Sequence, residues 1–244
     1  MVQVRFKRKD EELSEEQLRS RIADGSLRRG AKVKSAELFG DARWRGIETT
    51  TDWRQAAPIW HIPPPGPHLA KTALLTLTIV LGAIGALLRL AVSSSESPAW
   101  SPMFLTLLGS VIVWMIVVHG MWKSIRGSFS GTTPGDAVVG FFFPGYNFYW
   151  LFAGHIDFVK NYNLVVSLLQ ERVGTAPAPV QLWPFVVYPI VFLVWIMAFE
   201  FAPVVAVLLE LAVVAFRAIL IARACDAVNA LHALRRDSPD AAMA

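Results

Sequence analysis

Four ionisable residues lie within or at the edges of long apolar runs. In a bilayer such groups mark where chemistry or binding is sought first, because a charge near the middle of a membrane helix costs at least ~2.5 kcal/mol unless it is paired. Arg89 stands near the end of the first apolar run, Glu200 closes another, and Glu210 and Arg217 lie two helical turns apart on one face of the last. Their depths bring Arg89 within reach of Glu200 or Glu210 if the first and last apolar helices are neighbours. Two readings fit. Glu210, with Arg89, is a proton or cation site in a small ion or solute transporter or channel. Alternatively Glu210 is the structural partner of Arg89 or Arg217, and Arg217 extends its head to the interface. One acid, with no second intramembrane acid, histidine or broken helix beside it, makes a thin transport path, so the structural pair is preferred.

Other constellations are weaker. His155 and Asp157 form an HxD and His119 lies near the end of an apolar run, a set that could hold a hydrolytic metal. On a helix, however, HxD points its side chains to different faces, and no HExxH is present. The same histidines could ligate a tetrapyrrole, but a lone histidine on an apolar helix rarely does. Cys225 is the only cysteine, which excludes an intramolecular disulfide and a cysteine-ligated zinc site within the chain. GxSxG, GxGxxG and GxxxxGK do not occur. The expectation is no enzyme, no cofactor and no metal. A different kind of site is the run FFFPGYNFYW. Phe141, Phe142, Phe143, Tyr146, Tyr149 and Trp150 could face another membrane subunit, besides the ordinary role of aromatics at membrane interfaces.

The composition sets the frame. Of 244 residues, 54% are hydrophobic and 17% charged, with a mean hydropathy of +0.45, and the charge gathers before Thr72. The rest is therefore far more apolar than the average. A net charge of +4 and a pI near 9.4 reflect positive segments kept on the cytoplasmic side and attraction to anionic lipid. No basic stripe interleaved with aromatics points to nucleic acid, so none is expected as a partner. The opening MVQVRFKRKDEELSEE has no apolar core, so no cleavable signal peptide is expected.

Helical spans are predicted over residues 72–92, 103–122, 182–201 and 203–222, each about twenty residues long. The loop SSSESPAWSP and the turn near Pro203 carry no Lys or Arg, whereas Lys123, Arg126, Lys160, Arg172, Arg223, Arg235 and Arg236 fall on the other side. That asymmetry places both termini in the cytoplasm. Residues 137–171 resist a fifth span: the apolar stretch 137–143 is short and broken by Pro144-Gly145, and a span there would put Arg223, Arg235 and Arg236 outside. Further on, Asp157, Lys160, Asn161, Ser167 and Glu171 form one stripe, with Phe152, Ile156, Val159 and Val166 elsewhere. The pattern reads as a re-entrant or interfacial hairpin followed by a helix lying on the cytoplasmic face.

Ahead of the spans, residues 1–57 read as a compact α+β domain. Val2, Val4 and Phe6 alternate as a strand; Ser14 caps a helix with Gln17 in the capping-box position, and Gly25 stops it. Short segments follow near residues 31–34 and 44–47, parted by Gly40-Asp41. The expected core is Phe6, Leu18, Ile22, Leu27, Val33, Trp44 and Ile47. The segment LSEEQLRSRIADGSLRRGAKVKSAELFGDARWRGI resembles the latter two-thirds of the bacterial GYF-like domain, with Leu18, Gly25, Leu27, Val33 and Trp44 in the family's places. The resemblance implies that fold and a peptide-binding role. Yet the family's opening aromatic cluster and Gly-Pro, which grip proline-rich peptides, are absent from VQVRFKRKDEE. The segment FPGYNFYWLF also resembles stretches of uncharacterised bacterial membrane families, which implies no activity.

The fold expected is thus a small α+β N-terminal domain (1–57), a Pro-rich linker (58–71) with Pro58, Pro63, Pro64, Pro65 and Pro67, and an all-α membrane domain of four helices (72–222). A cytoplasmic tail (223–244) completes it. The function expected is a non-enzymatic multi-pass adaptor or accessory subunit of a bacterial cytoplasmic-membrane complex, with lipids and another membrane or cytoplasmic protein as partners.

Overall fold

The structure, a computed structural model, describes residues 2–6, 9–24, 26–27, 31–35, 41–47, 50, 53, 55, 68–93, 100–126, 132–143, 146–201 and 203–237; around 90–104 and 199–204 it describes the backbone alone. The Pro-rich stretch expected at 58–67, Gly25, and Pro144-Gly145 lie outside the described residues.

Among the described residues, the N-terminal domain is a four-stranded antiparallel sheet with one helix. Its strands are β1 (Val2–Phe6), β2 (Lys9–Leu13), β3 (Lys32–Ser35) and β4 (Asp41–Gly46), in the order β2-β1-β3-β4. Strand alternation turns Val2, Val4 and Val33 inward, where they meet α1 (Glu15–Ala23) through Leu18 and Ile22. Helix α1 starts as its sequence dictates: Ser14 Oγ accepts from the Gln17 amide at 3.1 Å, and Gln17 Oε1 accepts from the Ser14 amide at 2.9 Å. The helix ends at Ala23, and Asp24 caps the turn by accepting from the Ser26 amide at 2.8 Å.

One strand was not anticipated and one core residue changes. The charged run KDEEL is a strand, because it ladders onto β1 with Leu13 turned inward. Arg5 and Asp10, opposite each other across that ladder, form an exposed pair at 2.7 Å. Trp44 is only half-buried and lies on the outer face, with the Arg5 guanidinium 4.3 Å from its ring centre. The large aromatic of the core is instead Trp53, fully buried and held by its amide to Thr50 Oγ1.

Among the described residues six helices follow: α2 (Lys71–Ser93), α3 (Trp100–Ser124), α4 (Pro134–Val139), α5 (Tyr146–Val173), α6 (Trp183–Phe201) and α7 (Pro203–Asp237). Three are long and apolar enough to cross a membrane, over Lys71–Arg89, Leu105–Ser124 and Val205–Asp237. Within the most apolar 18 residues of each, only 17%, 39% and 22% is buried inside the protein, so their flanks present Leu, Ile and Val outward, as a lipid solvent requires. In α6 the described apolar stretch, Trp183–Ala198, is shorter.

Helix α7 is the hub, packing against α2, α3 and α6. At Gly82 the contact with α7 is so close that a Cβ there would fall 2.3 Å from Val214 Cγ2. At the foot of α2, Lys71 pairs with Asp226 at 2.7 Å, and the Asn229 amide bonds both backbone groups of Leu69, accepting at 2.8 Å and donating at 2.9 Å. Helix α7 does not stop near residue 222. It continues to Asp237, and Arg235, buried, donates to the Ser124 carbonyl at the end of α3.

Between α3 and α6 the chain doubles back. Thr133 and Asp136 form a capping box that starts α4, with Pro134 at its first position. Trp150 then ties α5 to α4: its Nε1 donates to the Ala137 carbonyl at 2.8 Å, and its ring covers Gly140, where a Cβ would lie 2.7 Å from it. Trp150 also stacks on Trp122 of α3. The expected polar stripe of α5 is narrower than drawn. Asp157, Lys160 and Glu171 are exposed, but Asn161 is buried and bonds back to the Asp157 carbonyl, while Ser167 bonds back to Leu164. Phe158, Tyr162, Val165 and Leu169 are buried on the other side of α5. Helix α5 therefore packs into the bundle along one whole face.

Candidate functional site

The charged residues of the apolar helices converge. Arg89 of α2 and Glu210 of α7 meet at 2.7 Å, each side chain only 13% exposed. Gly85, one turn before Arg89, opens the space: Glu210 Oε1 lies 3.1 Å from where a Cβ would stand. The Trp195 ring of α6 lies 5.3 Å from the Arg89 guanidinium, supplying a π face beside the pair. Arg217, two turns further along α7, donates through Nε to the Tyr188 hydroxyl at 3.1 Å and through Nη1 to Ser110 Oγ. It pairs with no carboxylate among the described residues. The Glu200 side chain lies outside the described residues.

A cavity of about 340 Å³ opens beside Arg217. Ser110, Asn147, Tyr188 and Arg217 supply its polar groups; its other walls are apolar and aromatic, including Trp114, Phe142 and Phe192. A second cavity of about 210 Å³ holds Arg89 and Glu210, and Ser110, Phe192 and Arg217 border both. Behind the first cavity sits His155, buried, with Trp114 and Tyr188 at ring-centre distances of 5.1 and 6.2 Å. Its Nδ1 faces the Leu151 carbonyl, which only accepts, so the imidazole donates there and Nε2 is left as the acceptor.

Asp157 and His119 are exposed, away from the buried His155, so the HxD set does not converge. Among the described residues no three of His, Cys, Asp and Glu could hold a metal ion. Cys225 is a buried free thiol in a packed helix face. Of the aromatic candidates, Phe142, Phe143, Tyr146 and Tyr149 are exposed, and Phe141 is half-buried against the cavity. Trp150 is not a surface residue. It is buried because its hydrogen bond and its stack on Trp122 hold it inside the fold. Sequence reasoning missed Ser110, Asn147 and Tyr188. The only signal for Ser110 and Tyr188 was a lone polar group in an otherwise apolar helix.

Compared with known proteins, the chain matches no protein-family model, no curated protein and no solved structure.

Proposed function

We propose that this protein is a non-enzymatic membrane adaptor or accessory subunit: a bundle of four spans that carries a small cytoplasmic module and serves by contact. The observation that carries this reading is the closed Arg89–Glu210 pair, which consumes the one acid described within the spans as a clasp between α2 and α7. Supporting a fourth span, α6 has 19 residues, about 28 Å of helix, and runs back alongside α7 with Tyr188 against Arg217. Supporting a re-entrant hairpin, Tyr162 meets Ala227 beside the Lys71–Asp226 pair, whereas Phe148, about four turns earlier, lines the cavity with Ser110 and Ile196. With the Lys and Arg gathered on the side of Lys71, both termini are cytoplasmic.

The N-terminal sheet and helix are compatible with a GYF-like module, and the outward Trp44 under Arg5 replaces the family's cluster as the contact point for a cytoplasmic partner. The exposed Phe142, Phe143 and Tyr149 make the contact within the membrane. The test is native electrophoresis of the protein extracted in mild detergent, together with flux measurements in proteoliposomes. A defined complex that is lost on removal of residues 1–57 and kept by Glu210→Gln supports the adaptor. Ion flux through the reconstituted chain, abolished by Glu210→Gln, overturns it in favour of a transporter.

A further inference from the structure

Among the described residues, two guanidiniums within the apolar helices face one carboxylate. Arg89 and Arg217 share a single described carboxylate, Glu210, and Arg89 holds it at 2.7 Å. Arg217 is left with two neutral acceptors, Ser110 Oγ and the Tyr188 hydroxyl, which use two of the five N–H groups of a guanidinium. The head group is not at a helix end where it could reach water. About nine residues, roughly 13 Å of helix, separate Arg217 from Asp226 at the interfacial pair with Lys71. A charge at that depth is expensive, and such groups pair or face a cavity that marks a binding site. The 340 Å³ cavity lies against this head group, and its remaining walls suit a hydrocarbon chain. Phe142 and Phe148, at its border, are also more than half exposed on the outer surface of the bundle, so the cavity adjoins the lipid phase.

We infer that this cavity is a binding site for a long-chain carboxylic acid, with its carboxylate on Arg217 and its chain among Trp114, Phe142 and Phe192. Depth selects the carboxylic acid over other anionic amphiphiles. A carboxyl group entering a low-dielectric medium is driven to its neutral form, so it reaches mid-bilayer uncharged and ionises only beside the guanidinium. A phosphodiester headgroup stays ionised at every accessible pH, and carrying it to the level of Arg217 costs its full desolvation. A planar carboxylate also matches the guanidinium fork in a bidentate contact, with the Asn147 amide near enough to line the same space. The site does not depend on the adaptor reading: a bound acid with no flux leaves that reading standing, and an adaptor without the acid leaves only this inference refuted.

The test is equilibrium binding of radiolabelled palmitate to the full chain in nanodiscs of zwitterionic lipid, with hexadecanol and dioleoyl phosphatidylglycerol as competitors. Saturable binding near one palmitate per chain is expected. Arg217→Gln should weaken it about tenfold to a hundredfold, the range of a charge-assisted hydrogen bond, while leaving hexadecanol binding unchanged. Phosphatidylglycerol should not compete. Should Arg217→Gln fail to fold, Arg217→Lys, which keeps the charge, and Val111→Phe, which fills the cavity, decide the matter: the first must retain binding and the second must lose it. Non-saturable uptake, equal binding by wild type and a folded Arg217→Gln, or effective competition by phosphatidylglycerol overturns the inference.

Discussion

Replacing Glu210 by Gln removes the described anion nearest two partly buried guanidiniums. With charge centres about 4 Å apart and an effective dielectric near 20, the gross attraction in the Arg89–Glu210 pair is about 4 kcal/mol. Breaking a buried pair by removing one partner costs about 3–5 kcal/mol in general, because the surviving charge keeps its desolvation penalty. The Trp195 ring beside Arg89 offsets part of that, so the expected loss for Glu210→Gln is about 2–4 kcal/mol. Arg89→Met should cost less, since Glu210 still feels Arg217. The double variant Arg89→Met/Glu210→Met removes both penalties and substitutes packed apolar volume; it should lie within about 1 kcal/mol of the wild type, or above it. The assay is denaturant unfolding in mixed micelles followed by far-ultraviolet circular dichroism. A double variant that loses as much as the two single variants together would refute the pairing argument, because it would show that the two residues stabilise the bundle through separate contacts.

Three further outcomes are expected. Gly82→Leu inserts a side chain where even a methyl group would fall 2.3 Å from Val214, and it should cost at least about 1–3 kcal/mol in the same unfolding assay, with Val214→Ala partly restoring stability. Trp150→Phe keeps the aromatic stack but loses the bond to the Ala137 carbonyl; leaving that acceptor unsatisfied should cost about 1–3 kcal/mol and raise hydrogen exchange across residues 134–143. In the N-terminal domain, Arg5 holds the Asp10 carboxyl below its ordinary range by its hydrogen bond, and the Ser26 amide does the same for Asp24. Both pKa values are depressed by folding, so the stabilisation is complete above the unfolded value of about 4 and is lost as the pH falls below it through the folded values. Amide exchange in β1, β2 and the end of α1 should accelerate only below about pH 4, and Asp10→Asn should remove the β1–β2 part of that acceleration.

Much of this architecture was legible because its signals are local. The Ser14–Gln17 box, the alternation of Val2 and Val4, and the apolar lengths of α2 and α3 each rest on residues adjacent in sequence. Strand β2 escaped notice because its pairing with β1, rather than its own composition, makes KDEEL extended. Trp44 was expected in the core, but its place in β4, next to Arg45 opposite Val33, turns it outward, and nothing in the sequence singled out Trp53. Within the bundle, the spacing of Arg89 and Glu210 allowed a pairing but did not choose between Glu200 and Glu210 as partner. The cavity was invisible in sequence: Ser110 lies 107 positions from Arg217, and nothing in either apolar helix specifies the other.

The two ion pairs between α2 and α7 acquire their meaning from spacing. Lys71 meets Asp226 at one end of α2 and Arg89 meets Glu210 at the other, with cations on α2 and anions on α7 in both cases. About eighteen residues separate the two cations and about sixteen the two anions, so the helices span roughly 27 and 24 Å between the pairs and only one antiparallel register closes both. Gly82 lies between them in tight contact with Val214, and a slide of one turn would drive a side chain into that contact while opening both pairs. Apolar helices in lipid have no water to exclude and so no strong preference among registers; polar contacts and small residues must choose for them. The Arg89–Glu210 pair is therefore best understood as the element that selects one packing of α2 on α7. Arg217 lies outside that seam, turned toward Ser110 and Tyr188, and fixing the register of α2 does not account for its charge. The same geometry that makes Glu210 structural leaves Arg217 as the residue with chemistry still to be satisfied.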